Sequence, residues 1–137
     1  MENAIATYRA ASEANDIEAL LGVLSPDVEL ISPLSGRAVF RGRDDLRLLL
    51  GVVYGGMRGL HWTEEVGDGS TRVVLGEGRI GPFKLADAMV CELDGEGRIR
   101  RIRPYLRPLL GLTVFALVLG PRIARHPGVL VRAMRGG

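Results

Sequence analysis

With 137 residues, 47% of them hydrophobic and 25% charged, the sequence carries enough apolar material for one soluble domain with a core of its own. A single cysteine excludes an intrachain disulfide, and two histidines far from it and from each other leave no recognisable zinc spacing. The net charge of +2 is unevenly divided: residues 1–107 hold fourteen Lys/Arg and all sixteen Asp/Glu, whereas 108–137 hold four arginines and no acid. The body therefore has no cationic excess of the kind that marks a nucleic-acid module.

In chain order, residues 2–15 predict a helix with Ala4, Ile5, Tyr8, Ala11 and Ser12 on one stripe. Asp16 is placed to cap a second helix, Ile17 to Leu24, which stops before Pro26. Val28 to Ser32 alternates like a half-buried strand ending at Pro33, and 33–42 reads as a turn-rich connection. Leu46, Leu49, Leu50 and Val53 mark a third helix, with Asp44 and Asp45 in its first turn and Gly55-Gly56 at its end. Four strand patterns follow: 60–66, 71–79, 83–93 and 98–107, separated by Gly-rich turns that fit an antiparallel meander. The expected class is α+β: a cone-shaped, curved, antiparallel-rich sheet with three N-terminal helices on one face.

Asp87 stands out within that meander. Side chains alternate along a strand, so Leu85, Asp87, Met89, Cys91 and Leu93 share one face, and a carboxyl group sits among apolar neighbours. Loss of hydration disfavours the charged form, so its pKa should rise unless a cation compensates; Arg72 and Arg103 are the candidates. Such an acid has either a structural partner or chemistry to do. Cys91, with neighbours Val90 and Met89, reads as a small buried apolar residue rather than a nucleophile.

Several segments carry a resemblance. They are Ala14-Asn15-Asp16-Ile17-Glu18-Ala19-Leu20-Leu21, Leu24-Ser25-Pro26-Asp27-Val28-Glu29-Leu30, Phe40-Arg41-Gly42-Arg43-Asp44-Asp45-Leu46 and Leu93-Asp94-Gly95-Glu96-Gly97-Arg98-Ile99. In this order and spacing, residues 2–107 resemble the nuclear transport factor 2-like superfamily, the cone fold of SnoaL-like polyketide cyclases and ketosteroid isomerases. The resemblance to ketosteroid isomerases implies an oxyanion-binding donor pair, with Tyr8 at the tyrosine position and Asp87 at that of the protonated acid. It also places Ser32, before Pro33, where that family has its general base, and a serine without an adjacent base cannot abstract a proton near neutral pH. Similarity to limonene epoxide hydrolases matches Arg72 to their arginine but puts Val74 and Pro104 at their aspartates, which excludes that mechanism. Similarity to polyether epoxide cyclases points to Glu64 or Glu65; the parity of their strand leaves both open.

The expected site therefore pairs Asp87 and Tyr8 as donors in a pocket lined by Val28, Leu30, Ser32, Trp62, Arg72, Leu85, Met89, Ile102 and Pro104. Trp62 and Tyr8 also read as ordinary core aromatics, and His61 as solvated. The implied function is binding of a small apolar, oxygenated ligand, with isomerase, cyclase or dehydratase chemistry on it. The alternative is a non-catalytic ligand-binding or dimerisation module that lacks the base. No cofactor, metal or nucleic-acid partner is implied, and a homodimer through the sheet face opposite the helices is expected.

Residues 108–137 form an apolar, then basic, extension to the 1–107 cone domain. Leu109 to Leu119 reads as a helix ended by Gly120-Pro121, and Val129 to Met134 as a second short segment. At about 16 Å the first is too short to span a bilayer. The favoured reading is a helix covering the cone mouth or a dimer partner; attachment to an anionic membrane surface through the tail arginines is the minor one. The start, Met1-Glu2-Asn3, lacks a basic region followed by an apolar core, so the expected compartment is the cytoplasm.

Overall fold

The computed structural model describes residues 3–35 and 37–136; Glu2, the first residue of the predicted N-terminal helix, lies outside them. Asn3 accepts hydrogen bonds from the Ile5 and Ala6 amides and so starts helix α1 (Ala4–Glu13), whose stripe of Ala4, Ile5, Tyr8, Ala11 and Ser12 is buried. Asp16 caps α2 (Ile17–Leu21) by accepting from the Ala19 amide. This helix is one turn shorter than the sequence suggests, because strand β1 (Leu24–Ile31) already begins at Leu24. Pro26 lies inside β1, and the pairing register shifts between Leu24 and Glu29, a bulge that accommodates a residue with no N–H to donate.

A short strand β2 (Val39–Arg41) forms where a turn-rich connection is expected, and pairs antiparallel with β1. Then come α3 (Arg43–Gly56), β3 (Arg58–Val66), β4 (Thr71–Ile80), β5 (Phe83–Leu93) and β6 (Ile99–Arg107). The six strands form one sheet in the order β2-β1-β6-β5-β4-β3, with β1 parallel to β6 and the other neighbours antiparallel. Its inner face packs against the three helices to make the main core, in which Val28, Leu46, Val74, Cys91, Ile99 and Ile102 are completely buried.

The extension forms α4 (Leu109–Ala124) and α5 (Pro127–Gly136), bent at 108° to each other. α4 runs through Gly120-Pro121 instead of ending there. Its buried stripe of Gly111, Phe115, Leu119 and Ile123 continues past the proline at i, i+4 spacing, and burying Ile123 offsets much of a proline cost of about 3 kcal/mol. Gly111 lies against the Lys84 carbonyl, and a Cβ there would collide with it; this sets the close approach of α4 to β5. Among the described residues no single helix is long and apolar enough to cross a membrane.

Candidate functional site

Between the inner sheet face, α1, α3 and the α4–α5 extension lies a cavity of about 300 Å³, walled almost entirely by apolar side chains. β5 contributes Leu85, Asp87 and Met89; β6 contributes Ile102 and Pro104; Leu30 of β1 and Ser32 just beyond it complete the sheet side. α1 presents Tyr8 and α3 presents Tyr54, while Phe115, Leu119, Ile123, Leu130 and Met134 close the side facing the extension. The extension is thus part of the cavity wall.

Asp87 is half-buried as a residue, but its Oδ1 atom is shut off from solvent and has no hydrogen-bond partner among the described residues. Burial pushes its pKa up to about 7, against a smaller downward pull from the Tyr105 backbone N–H. Neither candidate cation reaches it. Arg72 pairs with Glu65 at 2.8 Å, and Arg103 lies on the opposite sheet face, 3.9 Å from Glu92. The Tyr8 and Tyr54 hydroxyls share a hydrogen bond of 2.6 Å, with their rings edge to face. Burial first, and then the neighbouring charges, push both phenols above their ordinary value, so both stay protonated; Asp87 contributes to each shift. At mildly acidic to neutral pH this wall offers neutral O–H donors and no cation.

Tyr8 is held from behind. The Trp62 indole N–H donates to Ser12 Oγ at 2.8 Å, and Ser12 in turn donates to the Tyr8 carbonyl at 2.7 Å. The indole ring packs edge to face on Tyr8, and Gly76 across the strand pair makes room for it, since a Cβ at Gly76 would strike the ring. Trp62 is therefore a buttress and not part of the cavity wall. Val28 is also buried but away from the cavity, in the core between the sheet and the helices. Arg72 faces inward at the far end of β4, beyond Trp62, where Glu65 holds it. These three expected lining residues are corrected on that ground.

The strand parity left open between Glu64 and Glu65 resolves through the bulge after Trp62. Glu65 turns inward, opposite Val74, and meets Arg72 and, at 3.8 Å, Arg9; Glu64 is exposed, opposite Leu75. Neither carboxylate lines the cavity. Ser32 does, and its Oγ accepts from the Leu34 and Ser35 amides at 3.1 and 3.3 Å, a local turn that fixes the side chain. Cys91 is completely buried, with burial pushing its thiol up to about 12. His61 is exposed and faces Glu77 at 3.2 Å. No three His, Cys, Asp or Glu side chains among the described residues are placed to hold a metal ion.

Tyr54 is the hydroxyl-bearing site residue that the sequence does not reveal. It lies four residues beyond Leu50 and eight beyond Leu46, on the same stripe, and only its register opposite Tyr8 distinguishes it from core.

No family model matches the chain, and no curated protein matches it by sequence. Solved structures do match it in shape. A bacterial protein with a cystatin-like fold from Silicibacter pomeroyi DSS-3 superimposes with a TM-score of 0.88 at 19% identity, over 97% of this chain and 95% of that one. A steroid delta-isomerase from Pseudomonas aeruginosa gives 0.80 at 23% identity, over 93% and 96%. A nuclear transport factor 2-like protein from Burkholderia xenovorans LB400 gives 0.68 at 20%, over 78% and 86%. The chain has the nuclear transport factor 2-like fold. At these identities the likeness concerns architecture, and a cone of this kind hosts unrelated activities.

Proposed function

We propose that this protein binds a small, largely apolar molecule through one oxygen, received by Asp87 and the Tyr8–Tyr54 hydroxyl pair. The observation that carries this reading is the solvent-excluded Oδ1 of Asp87, unpartnered among the described residues, in a largely apolar wall. A buried polar atom without a partner is costly, and a ligand hydroxyl, carbonyl or enolate oxygen would satisfy it. Neutral donors in a largely apolar site stabilise developing negative charge on oxygen, which suits enolisation, cyclisation or dehydration of the ligand. The fold neighbour named as a steroid delta-isomerase supports testing isomerisation. Ser32 speaks against it: isomerisation needs a base at the ligand carbon, and a hydroxyl engaged with two backbone amides is not one. The second reading, a binder without catalysis, rests on that serine.

The proposal extends to a cytoplasmic homodimer joined through the outer sheet face, where Val73, Leu75, Ala88 and Val90 form a half-buried apolar patch.

Fluorescence titration with 2-naphthol at pH 6 tests the donor site. The parent should bind, and Asp87→Leu and Tyr8→Phe should each weaken binding at least tenfold, whereas Leu117→Ser on the exposed face of α4 should not. Equal affinity in all four proteins would overturn the reading.

A further inference from the structure

We propose that one corner of the molecule, away from the cavity donors, docks on the headgroups of an anionic lipid surface. On the outer sheet face Arg58 stands directly opposite Arg79, and Arg79 directly opposite Lys84. This sets three cations side by side across three strands, with backbones about 5 Å apart. Like charges opposite one another in a sheet repel, and among the described residues no acid stands in this row of three. Arg107, opposite Ala86 and so two positions along β5 from Lys84 on the same face, adds a fourth. All four line an open groove of about 800 Å³, and none has an ion pair or side-chain hydrogen bond among the described residues. Among the described residues that line the groove, the one carboxylate, Glu77, faces His61.

A cationic groove alone would suit any polyanion. Its rim selects among them. Pro108 lines the groove, and the next two residues, Leu109 and Leu110, are 79% and 60% exposed at the start of α4. Large apolar side chains held out beside unpaired cations match an interface where acyl chains lie just beneath phosphates. A soluble anion would gain nothing from those leucines. A second copy of the chain would bring its own cations against these. The apolar patch proposed for dimerisation lies further along the same ladder, at Leu75 and Val73.

The test is co-sedimentation of the full chain with vesicles of phosphatidylcholine alone and with 30% phosphatidylglycerol added, at low and at about 0.5 M salt. Binding is expected only to the anionic vesicles, falling at least tenfold at high salt as screening grows. The double variant Arg79→Glu/Lys84→Glu and the double variant Leu109→Ser/Leu110→Ser should each lose at least tenfold, while keeping the parent's circular dichroism and 2-naphthol affinity. No binding to anionic vesicles overturns the proposal. So does anionic binding that neither variant weakens. Capture of pyrophosphate or of a single-stranded oligonucleotide without vesicle binding would assign the groove to a soluble anion or a nucleic acid and overturn it equally. Because 2-naphthol reports the cavity separately, failure here leaves the donor site standing.

Discussion

Replacing Asp87 by asparagine should make the protein more stable at alkaline pH and leave it nearly unchanged in acid. An aspartate in an unfolded chain titrates near about 3.9, whereas in the fold burial raises Asp87 to about 7. Below the lower value both states hold the proton, and the carboxyl costs nothing extra. Between the two values only the unfolded chain releases it, and parent stability falls by about 1.4 kcal/mol per pH unit from this group. Above the higher value both are ionised and the loss levels off at roughly 4 kcal/mol, a large part of a typical total of about 5–15 kcal/mol. The amide has no charge to bury, and its oxygen can still accept from the Tyr105 backbone. Urea unfolding of parent and Asp87→Asn at several pH values from 4 to 9 isolates the effect, since all other titrating groups are common to both. The stability difference should open in favour of the variant as pH rises from 4 to 7 and then flatten. A difference independent of pH would show that the carboxylate is compensated in the fold and would refute the reasoning.

Three further outcomes follow from named contacts. Ser32→Asp should give measurable isomerisation of an unsaturated 3-ketosteroid where the parent gives negligible turnover, and the gain should vanish in Ser32→Asp/Tyr8→Phe; activity in the parent would mean that the base lies elsewhere. Gly76→Ala should destabilise the fold by about 1–3 kcal/mol and shift tryptophan emission, because its methyl group strikes the Trp62 ring; an unchanged melting temperature would contradict the buttress. Light scattering should report about twice the chain mass of 14.8 kDa, and Ala88→Arg on the outer face should return it to one; a strict monomer at micromolar concentration would remove the dimer.

What the sequence reveals and what it hides divide along physical lines. The period of two in 85–93 is enough to put Asp87 on the apolar face, because a strand offers only two sides. The same rule turns Arg72 inward, but the side of a strand says nothing about position along the cone, and Arg72 lies beyond Trp62 with Glu65. Glu64 and Glu65 stay ambiguous in sequence because a bulge after Trp62 resets parity. Tyr54 is hidden because a tyrosine at i+4 on an apolar stripe looks like packing until a second hydroxyl is found 2.6 Å away. β2 is too short, at three residues, to show any period. Pro121 misleads for a different reason: local preference ends the helix, but the burial of Ile123 carries it on.

The central claim, that a ligand oxygen is received by Asp87 and the tyrosine pair, is tested most directly by a crystal structure with 4-bromophenol, the bromine located by its anomalous signal. The account predicts the ring inside the cavity among Leu85, Met89 and Phe115, with its oxygen within about 3 Å of the Tyr8 hydroxyl or the Asp87 carboxyl. A bromophenol seated elsewhere, or lying in the cavity with its oxygen turned away from Asp87 and both tyrosine hydroxyls, would contradict it.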